Sequence, residues 1–297
     1  MGRIFKRPET KIETAQPIEL IQEVEEKDNP RFAKQNVIDL VGINLSFGNK
    51  KIFDNLNLSF QDIVGNCNIH SIVGASGCGK STILRLLAGL QKPDSGDIYL
   101  YGKKYTDRST LPMIFQKYSN FPWMTVRENL ELPLKLEGKL GPEERKQRVD
   151  RILEIIKMKD VAEQWAGNNL SGGMHQRLAL GRSIIKESQQ IILCDEFTSA
   201  LDVFTCHEME DTILDIAYTS DLDVTVLNVT HNISQAAYIS DRVVVLQPWP
   251  CKVYKIIDID YGVKHRTPEL RNSQQYRDYI AEIEQALAEV NKIKEGN

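Results

Sequence analysis

One short stretch constrains the fold of this chain more than any other. Residues 74–82 read Gly-Ala-Ser-Gly-Cys-Gly-Lys-Ser-Thr, which matches every fixed position of the phosphate-binding loop G-x-x-x-x-G-K-[ST]. Residues 68–73 before it include β-branched side chains typical of a strand, and residues 83–88 after it are mostly helix formers. In a strand–loop–helix unit, loop N–H groups and the positive end of the helix dipole both point at a phosphate. The motif therefore predicts an α/β core that binds a nucleoside triphosphate, and it disfavours a chance glycine turn.

The motif also assigns roles to individual side chains. Lys80 is expected to reach the β- and γ-phosphates, and the Ser81 hydroxyl is expected to bind Mg²⁺. Glycines in the loop let the backbone approach the phosphates closely. We therefore predict a nucleotide-binding loop made of Gly74, Ala75, Ser76, Gly77, Cys78, Gly79, Lys80, Ser81 and Thr82.

Composition narrows the class of protein. A formal net charge of −4 gives no electrostatic reason to expect nucleic acid or an anionic membrane surface as the main partner. The 5 cysteines form no C-x-x-C pair and leave an odd count, which favours reduced thiols in a cytosol over a disulfide framework or a zinc site. No apolar run approaches the roughly 20 residues that span a bilayer, so we expect any membrane role to come through a partner.

The hydrophobic pattern divides the chain into regions. Residues 1–36 combine prolines with an acidic cluster, so we predict a flexible N-terminal tail. Residues 37–250 form the predicted main domain, in which strand-like runs of an antiparallel flap come first and a helical region follows at about 117–186. Apolar strands separated by helices then predict a parallel sheet. Residues 251–297 are a C-terminal extension with an amphipathic helix after Pro268, which we interpret as a packing face rather than a partner-binding face.

A pair of acids follows the apolar run at residues 191–194. A carboxylate directly after a buried strand lies at the carboxyl edge of the sheet, so Asp195 is expected beside Mg²⁺. The next residue, Glu196, is expected to orient and polarise an attacking water. A solvated acidic strand end is the alternative, and the phosphate loop in the same chain makes the catalytic interpretation stronger.

The stretch 170–177, Leu-Ser-Gly-Gly-Met-His-Gln-Arg, resembles the signature sequence of ATP-binding-cassette (ABC) ATPases. Ser171, Gly172 and Gly173 open an apolar helix and so supply a second anion-binding helix N-terminus. One chain does not need two such sites for a single γ-phosphate. In the family, the signature closes over the ATP held by the opposite subunit, so the resemblance implies a homodimer or a heterodimer.

The other motif positions of this family occur in the expected order along the chain. The resemblance implies that Gln116 meets Mg²⁺ and transmits the nucleotide state to a membrane partner, and that Asp202 lies on a loop that crosses the dimer interface. It also implies that His231 contacts the γ-phosphate and that Phe47 stacks on adenine. The catalytic set implied by the resemblance is Lys80, Gln116, Glu196 and His231. Phe197 departs from the family pattern, which usually has proline after the Asp-Glu pair, and this puts the rigidity and dimer contacts of that loop in question.

Further stretches resemble one importer group within the family. Residues 120–129 resemble the Leu-Pro-Trp-x-Thr-Val-x-x-Asn segment of nitrate, sulfonate and taurine importer ATPases, and residues 238–246 resemble the ending of the same group. Residues 132–134 are instead similar to lipoprotein-release and macrolide-export ATPases, so an export or lipid-release system is one alternative. A soluble cassette ATPase without a permease is the other. Ribosome-acting members usually carry two cassettes, whereas this chain has a single phosphate loop and signature. The importer is the favoured hypothesis.

The resemblance also implies an architecture and a set of partners. The architecture is a P-loop NTPase (RecA-like) α/β core sheet with an antiparallel β flap and an α-helical signature subdomain. The cofactors are ATP and Mg²⁺, and the partners are transmembrane permease subunits, a second ATPase subunit and a substrate-binding protein, with no nucleic acid. The chain is expected at the cytoplasmic face of a membrane. Phe121 and Trp123 lie just beyond Gln116, where we expect them either to contact a coupling helix of the permease or to form subdomain core.

Overall fold

The computed structural model describes residues 32–63, 68–106, 111–117, 119–186, 191–218, 222, 224–263 and 266–295. The strands are β1 (Phe32–Phe47), β2 (Lys50–Ile63), β3 (Asn68–Gly74), β4 (Ser95–Leu100), β5 (Lys103–Lys104), β6 (Met113–Ile114), β7 (Ile191–Asp195), β8 (Thr225–Val229), β9 (Arg242–Gln247) and β10 (Lys252–Asp258). The helices are α1 (Lys80–Leu87), α2 (Val126–Glu137), α3 (Pro142–Ile155), α4 (Gly172–Ile184), α5 (Val203–Tyr218), α6 (Ile233–Ile239) and α7 (Gln274–Glu295), with 3₁₀ turns at Lys159–Val161 and Pro268–Asn272.

The first strands form the predicted antiparallel flap, with the strand order β2-β1-β4-β5. A tight turn joins β1 to β2, and its Gly48 has a φ of 57°, which a residue without Cβ adopts easily. β1 begins at Phe32, inside the segment assigned to the N-terminal tail. The rest of that tail, residues 1–31, lies outside the described residues.

The second sheet is the predicted parallel core, with the order β10-β9-β3-β8-β7-β6. All neighbours are parallel except β10, which runs antiparallel to β9. Both faces are buried: Ile72 and Leu193 pack with the flap and α1, whereas Val73 and Ile192 pack with the helices on the other face. Burial on both faces explains why these strands read as continuous apolar runs. The predicted α/β fold class is confirmed.

The predicted helical region between β6 and β7 contains α2, α3 and α4. Thr125 caps α2, because its hydroxyl accepts from the N–H of Glu128 (3.1 Å) while the Glu128 carboxylate accepts from the N–H of Thr125 (2.8 Å). Gly181 lets α4 pack closely, since a Cβ there would lie 2.8 Å from Ile156 and 2.9 Å from Leu130. The missing side chain at Gly181 therefore lets α4 approach α2 and the end of α3.

The C-terminal helix α7 packs against the core. Tyr276, Ile283, Ala286 and Val290 lie on one face and are buried. The Tyr276 hydroxyl also donates to the carbonyl of Ser234 at 3.1 Å. Among the described residues, no helix combines the length and the apolar character that crossing a bilayer requires.

Candidate nucleotide-binding site

The phosphate loop joins β3 to α1 and depends on glycine. Gly79 caps α1 with a φ of 112°, and a Cβ at this position would lie 2.9 Å from the Phe53 ring. A side chain is therefore excluded by both conformation and space. The Lys80 ammonium donates to the carbonyl oxygens of Gly74 (2.8 Å) and Ala75 (3.1 Å), so it lies over the start of the loop. This places a positive charge among backbone groups suited to phosphate.

Ser81, at the start of α1, and Asp195, at the end of β7, are hydrogen-bonded although they lie 114 residues apart in the chain. The Ser81 hydroxyl donates to Asp195 Oδ1 at 2.8 Å. Burial raises the pKa of Asp195, the Ser81 hydrogen bond opposes that rise, and the neighbouring Glu196 charge adds to it. A hydroxyl and a carboxylate are oxygen ligands of the kind that Mg²⁺ prefers, so the pair fits the predicted metal role.

No group of three or more His, Cys, Asp or Glu side chains that could hold a metal ion occurs in the described part of the chain. A magnesium ion at Ser81 and Asp195 would need further oxygen ligands. Nucleotide sites commonly take these from substrate phosphates and water. The site is therefore suited to a metal that arrives with a triphosphate.

Glu196 and His231 face each other at the ends of the adjacent strands β7 and β8. His231 Nδ1 lies 3.2 Å from Glu196 Oε1. Glu196 has a φ of 48°, and its N–H donates to the carbonyl of Val229 at 2.9 Å. Left-handed backbone is costly for a residue with a side chain and is often found at functional sites. Lys80, Ser81, Glu196 and His231 line a single cleft of about 430 Å³.

Gln116 and Phe47 lie outside this cleft. Gln116 is exposed in the segment after β6, and Phe47 ends β1 with 48% of its surface exposed. Neither is among the described residues that line the cleft. Their contacts with Mg²⁺ and adenine stay predictions.

The signature residues form a second structure, separate from the phosphate loop. Ser171 caps α4 and accepts from the N–H of Met174 at 3.3 Å, so the amino end of α4 starts at an exposed serine. Asp202 caps α5 by accepting from the N–H groups of Phe204 and Thr205, both at 3.1 Å. The pKa of Asp202 is lowered mainly by the hydrogen bond from the Thr205 hydroxyl and, to a smaller extent, by the hydrogen bond from the Thr205 backbone N–H. Neither Ser171 nor Asp202 is among the described residues lining the phosphate cleft.

Comparisons with known proteins agree with this geometry. A sequence profile described as ABC transporter matches residues 53–199, which contain the phosphate loop, the signature and both acids. The nitrate import ATP-binding protein of Synechocystis sp. is 37% identical over 224 residues, which cover 72% of this chain and 81% of that protein. The aliphatic sulfonates import ATP-binding protein of Bacillus cereus is 33% identical over 234 residues, which cover 78% of this chain and 86% of that protein. The chain belongs to the ABC transporter family.

Other ABC proteins extend the comparison. The Fe(3+) ions import ATP-binding protein of Vibrio cholerae is 38% identical over 218 residues, which cover 72% of this chain but only 60% of that relative's length. A dimeric structure of the ATP-binding cassette MJ0796, in a post-hydrolysis state bound to ADP and Pi, matches with a TM-score of 0.61 and 28% identity, over 75% of this chain and 99% of that one. The structure of cbiO1 from Clostridium perfringens shares the fold with a TM-score of 0.66 and 19% identity, and the match covers 88% of this chain and 100% of the cbiO1 chain.

Phe197, the departure from the ABC pattern, is fully buried. It belongs to the hydrophobic core on the helical face of the parallel sheet, together with Ile192 and Tyr238. The phenyl ring therefore fills core volume behind the loop while Glu196, the residue before it, still reaches the cleft. The departure is accommodated by packing and leaves the pair of acids in place.

Two residues near the nucleotide cleft are not predicted from the sequence. Ile52 on β2 lines the cleft, and the Trp249 indole N–H donates to the carbonyl of Gly77 at 3.3 Å. The only signal in the sequence was a tryptophan between two prolines in a turn that follows an apolar strand. That signal indicates a turn, but it does not indicate that the tryptophan contacts Gly77 in the phosphate loop.

Proposed function

We propose that this chain is the ATP-hydrolysing subunit of a membrane ABC importer, that it works as a dimer with Mg²⁺, and that its transported substrate is a small anion such as nitrate, a sulfonate or taurine. The observation that carries the proposal is the single cleft in which Lys80 and Ser81 of the phosphate loop face Glu196 and His231. Relatives named for nitrate and aliphatic sulfonates support the anion class. Relatives named for Fe(3+) ions and spermidine/putrescine make a cation the alternative substrate.

The proposed chemistry follows from the positions of the side chains. The Lys80 charge would neutralise the phosphate oxygens, and Ser81 with Asp195 would hold Mg²⁺, which would supply further positive charge to stabilise the reacting phosphates. Glu196 orients and polarises the attacking water, because its carboxylate lines the same cleft. His231 lies 3.2 Å from Glu196, and in this proposal it would contact the γ-phosphate and orient that carboxylate.

The proposed dimer follows from the separation of the signature from the cleft. Ser171, Gly172 and Gly173 present the amino end of α4, yet none of them is among the described residues that line the chain's own cleft. A helix N-terminus favours anions, so a second subunit could offer this one to the γ-phosphate. ATP would then bind the closed dimer more tightly than the open one, and this difference in affinity would drive attached permease subunits between two orientations. Hydrolysis would remove the bridging phosphate and reopen the dimer.

The decisive experiment replaces the proposed base. Glu196→Gln keeps the shape of the side chain and removes its charge, so we expect ATP to bind while hydrolysis falls by at least about 100-fold. The variant should accumulate as an ATP-bound dimer in size-exclusion chromatography. Glu284→Gln, on the exposed face of α7, removes one carboxylate that does not line the cleft and should behave as the wild type. Unchanged turnover in Glu196→Gln would place the base elsewhere.

Two other functions keep the same cleft and differ in the partner. An ABC export or lipoprotein-release system would pair the ATPase with other membrane subunits, and a soluble non-transport ATPase would have no permease. Extraction of membranes in mild detergent, followed by identification of the chains that co-purify with this one, separates the alternatives. Recovery with a permease and a substrate-binding protein would support the importer, whereas recovery without any membrane subunit would contradict it.

A further inference from the structure

The turn between β9 and β10 lays a tryptophan on the phosphate loop. Trp249 donates its indole N–H to the carbonyl of Gly77 at 3.3 Å. A Cβ on Gly77 would lie 4.0 Å from the Trp249 ring, so the indole is in contact range of the loop backbone. At the same time 47% of the Trp249 surface is exposed. A large aromatic side chain therefore stands beside the nucleotide cleft and is only half covered by protein.

The position of this tryptophan is well fixed. The N–H of Cys251, two residues further on, donates to the carbonyl of Ile52 at 2.9 Å, and the Cys251 side chain is fully buried. The turn is short, because β9 ends at Gln247 and β10 starts at Lys252. Trp249 is thus held between a core strand and the phosphate loop, so its exposure does not come from a long, poorly packed loop.

A lysine and a second aromatic residue accompany Trp249. The Lys50 ammonium lies 3.9 Å from the centroid of the Trp249 ring, which is within cation–π range. This contact holds the Trp249 indole against the start of β2. Lys50 is the cross-strand partner of Phe47, the residue predicted to stack on adenine. Ile52, on the same strand, lines the cleft with an aliphatic side chain. Aromatic, cationic and aliphatic groups therefore cluster where β2 meets the phosphate loop.

This cluster matches the part of a nucleotide that the phosphate loop does not bind. The phosphate loop and Lys80 would bind the phosphates. The base of the same nucleotide must then extend away from the loop and lie on a less polar surface. An aromatic face stacks on any nucleobase, and such stacking changes affinity by roughly 5- to 150-fold per base. We propose that Trp249 contacts the base of the bound nucleoside triphosphate, with Lys50 holding the indole in place, so that Phe47 is not the sole aromatic partner. The proposal rests on the proposed nucleotide binding at this loop.

The test compares two ligands that share the phosphates and differ in the base. Binding of MgATP and of magnesium tripolyphosphate to the full-length chain is measured by calorimetry for wild type, Trp249→Ala and Trp249→Phe. We expect Trp249→Ala to weaken ATP binding about 10-fold and to leave tripolyphosphate binding within about 2-fold. Trp249→Phe keeps an aromatic face but loses the hydrogen bond to Gly77, so it should recover most of the ATP affinity.

Each other outcome has a definite meaning. If Trp249→Ala weakens both ligands equally, the tryptophan only supports the loop and the proposal is overturned. If it weakens neither while Phe47→Ala weakens ATP alone, the base contacts Phe47 and the proposal is again overturned. A wild-type chain that binds neither ligand would refute the proposed function itself, which is a different result.

A spectroscopic readout gives an independent check. The chain has 3 tryptophans, and the other two, Trp123 and Trp165, lie in the helical region away from the cleft. In a Trp123→Phe, Trp165→Phe background the fluorescence comes from Trp249, and ATP should quench it while tripolyphosphate should not. Equal quenching by both ligands would indicate a loop movement instead of base contact and would count against the proposal.

Discussion

At the scale of a single residue, Gly173 links the signature helix to the loop that carries Asp202. Gly173 is buried at the start of α4, and a Cβ built on it would fall inside the contact distance of the Thr205 methyl group. Thr205 in turn donates its hydroxyl to Asp202 at 2.7 Å. The glycine is therefore required by packing in addition to any role in binding an anion. Gly173 therefore lets the start of α4 approach the amino end of α5 closely.

This contact predicts a suppressible defect. In Gly173→Ala the helix gains up to about 1 kcal/mol of propensity, but overpacking against Thr205 costs about 1 to 3 kcal/mol. We expect a net loss of about 1 to 2 kcal/mol in the free energy of unfolding, measured by denaturant titration. Adding Thr205→Ser removes the clashing methyl, keeps the hydroxyl for Asp202, and should restore most of the loss. Thr205→Ser alone should change stability little, and a double variant as unstable as Gly173→Ala would contradict the assignment.

A second residue-scale prediction concerns buried His70. Burial, followed by the nearby Arg242 charge, lowers the pKa of His70 from 6.5 to about 3, and its Nε2 lies 3.0 Å from the carbonyl of Gln61. The unfolded chain binds the proton below pH 6.5 and the folded chain does not, so stability falls as the pH drops from 6.5 toward 3. At pH 5 this residue should account for about 2 kcal/mol of lost stability.

The variant His70→Gln isolates this contribution. Glutamine can still donate to the Gln61 carbonyl and stays neutral at every pH. Thermal or denaturant unfolding at pH 7.5 and pH 5 should show a difference about 2 kcal/mol smaller in the variant than in the wild type. The same pH dependence in both proteins would show that other groups control acid sensitivity.

At the scale of elements, the structure separates the roles of Phe121 and Trp123. The Asn129 side chain accepts a hydrogen bond from the Phe121 N–H and donates one to the Phe121 carbonyl. The Arg182 guanidinium lies 4.6 Å from the centroid of the Phe121 ring. Phe121 is half-buried, whereas 66% of Trp123 is exposed, with the two ring centroids 5.6 Å apart. Phe121 thus belongs to the packing of the helical subdomain, and Trp123 is the side chain available to a partner.

We therefore expect different effects from the two alanine variants. Trp123→Ala should leave the melting temperature nearly unchanged and weaken association with a permease by about 2 kcal/mol, as central aromatic anchors of interfaces do. Phe121→Ala should lower the melting temperature. Leu136→Ala, an exposed apolar position at the end of α2, is the control. Co-purification with the permease and thermal stability are measured on all three variants. A Trp123→Ala variant that loses stability but keeps its permease association would contradict the docking role of Trp123.

The elements also show how much the sequence could reveal. The phosphate loop, the acids after β7 and the cap at Ser171 depend on neighbours in the chain, so local patterns were enough to predict them. The contact of Trp249 with Gly77 spans 172 residues, and it exists only because β9 lies beside β3 in the sheet. The Gly173–Thr205 contact similarly needs the packing of α4 on α5. Strand order and helix packing are set by long-range burial, which no single stretch of sequence records.

At the scale of the whole molecule, the C-terminal extension is tied to the ATPase core. Arg271 pairs with the buried Glu210 at 2.8 Å, and its guanidinium lies 3.5 Å from the centroid of the Tyr238 ring. Arg266 pairs with Asp241 at 3.0 Å, and both side chains are buried. Breaking a buried pair leaves a charge without compensation, so these contacts make removal of the extension costly. The extension is part of the folded unit that would enter a dimer.

The proposed dimer requires a surface that is still open in one chain. The first turn of α5, directly after Asp202, exposes apolar side chains, and Phe204 is 83% exposed beside this cap. Ser171 is exposed at the start of α4. In a twofold dimer each chain would give Lys80 to one site and Ser171 to the other. Each site would therefore need intact residues from both chains.

Mixing two inactive variants tests this arrangement directly. Lys80→Ala removes the phosphate-binding charge, and Ser171→Glu places a negative charge where the model of shared sites puts a γ-phosphate, so each variant alone should be nearly inactive. In a 1:1 mixture, half of the dimers should contain both variants, and each of these has one intact site and one doubly defective site. The mixture should therefore recover up to about a quarter of the wild-type ATPase rate, and this recovery should depend on total protein concentration. A mixture no more active than the sum of its parts would mean that each chain completes its own site, because Lys80 and Ser171 would then never act across the interface.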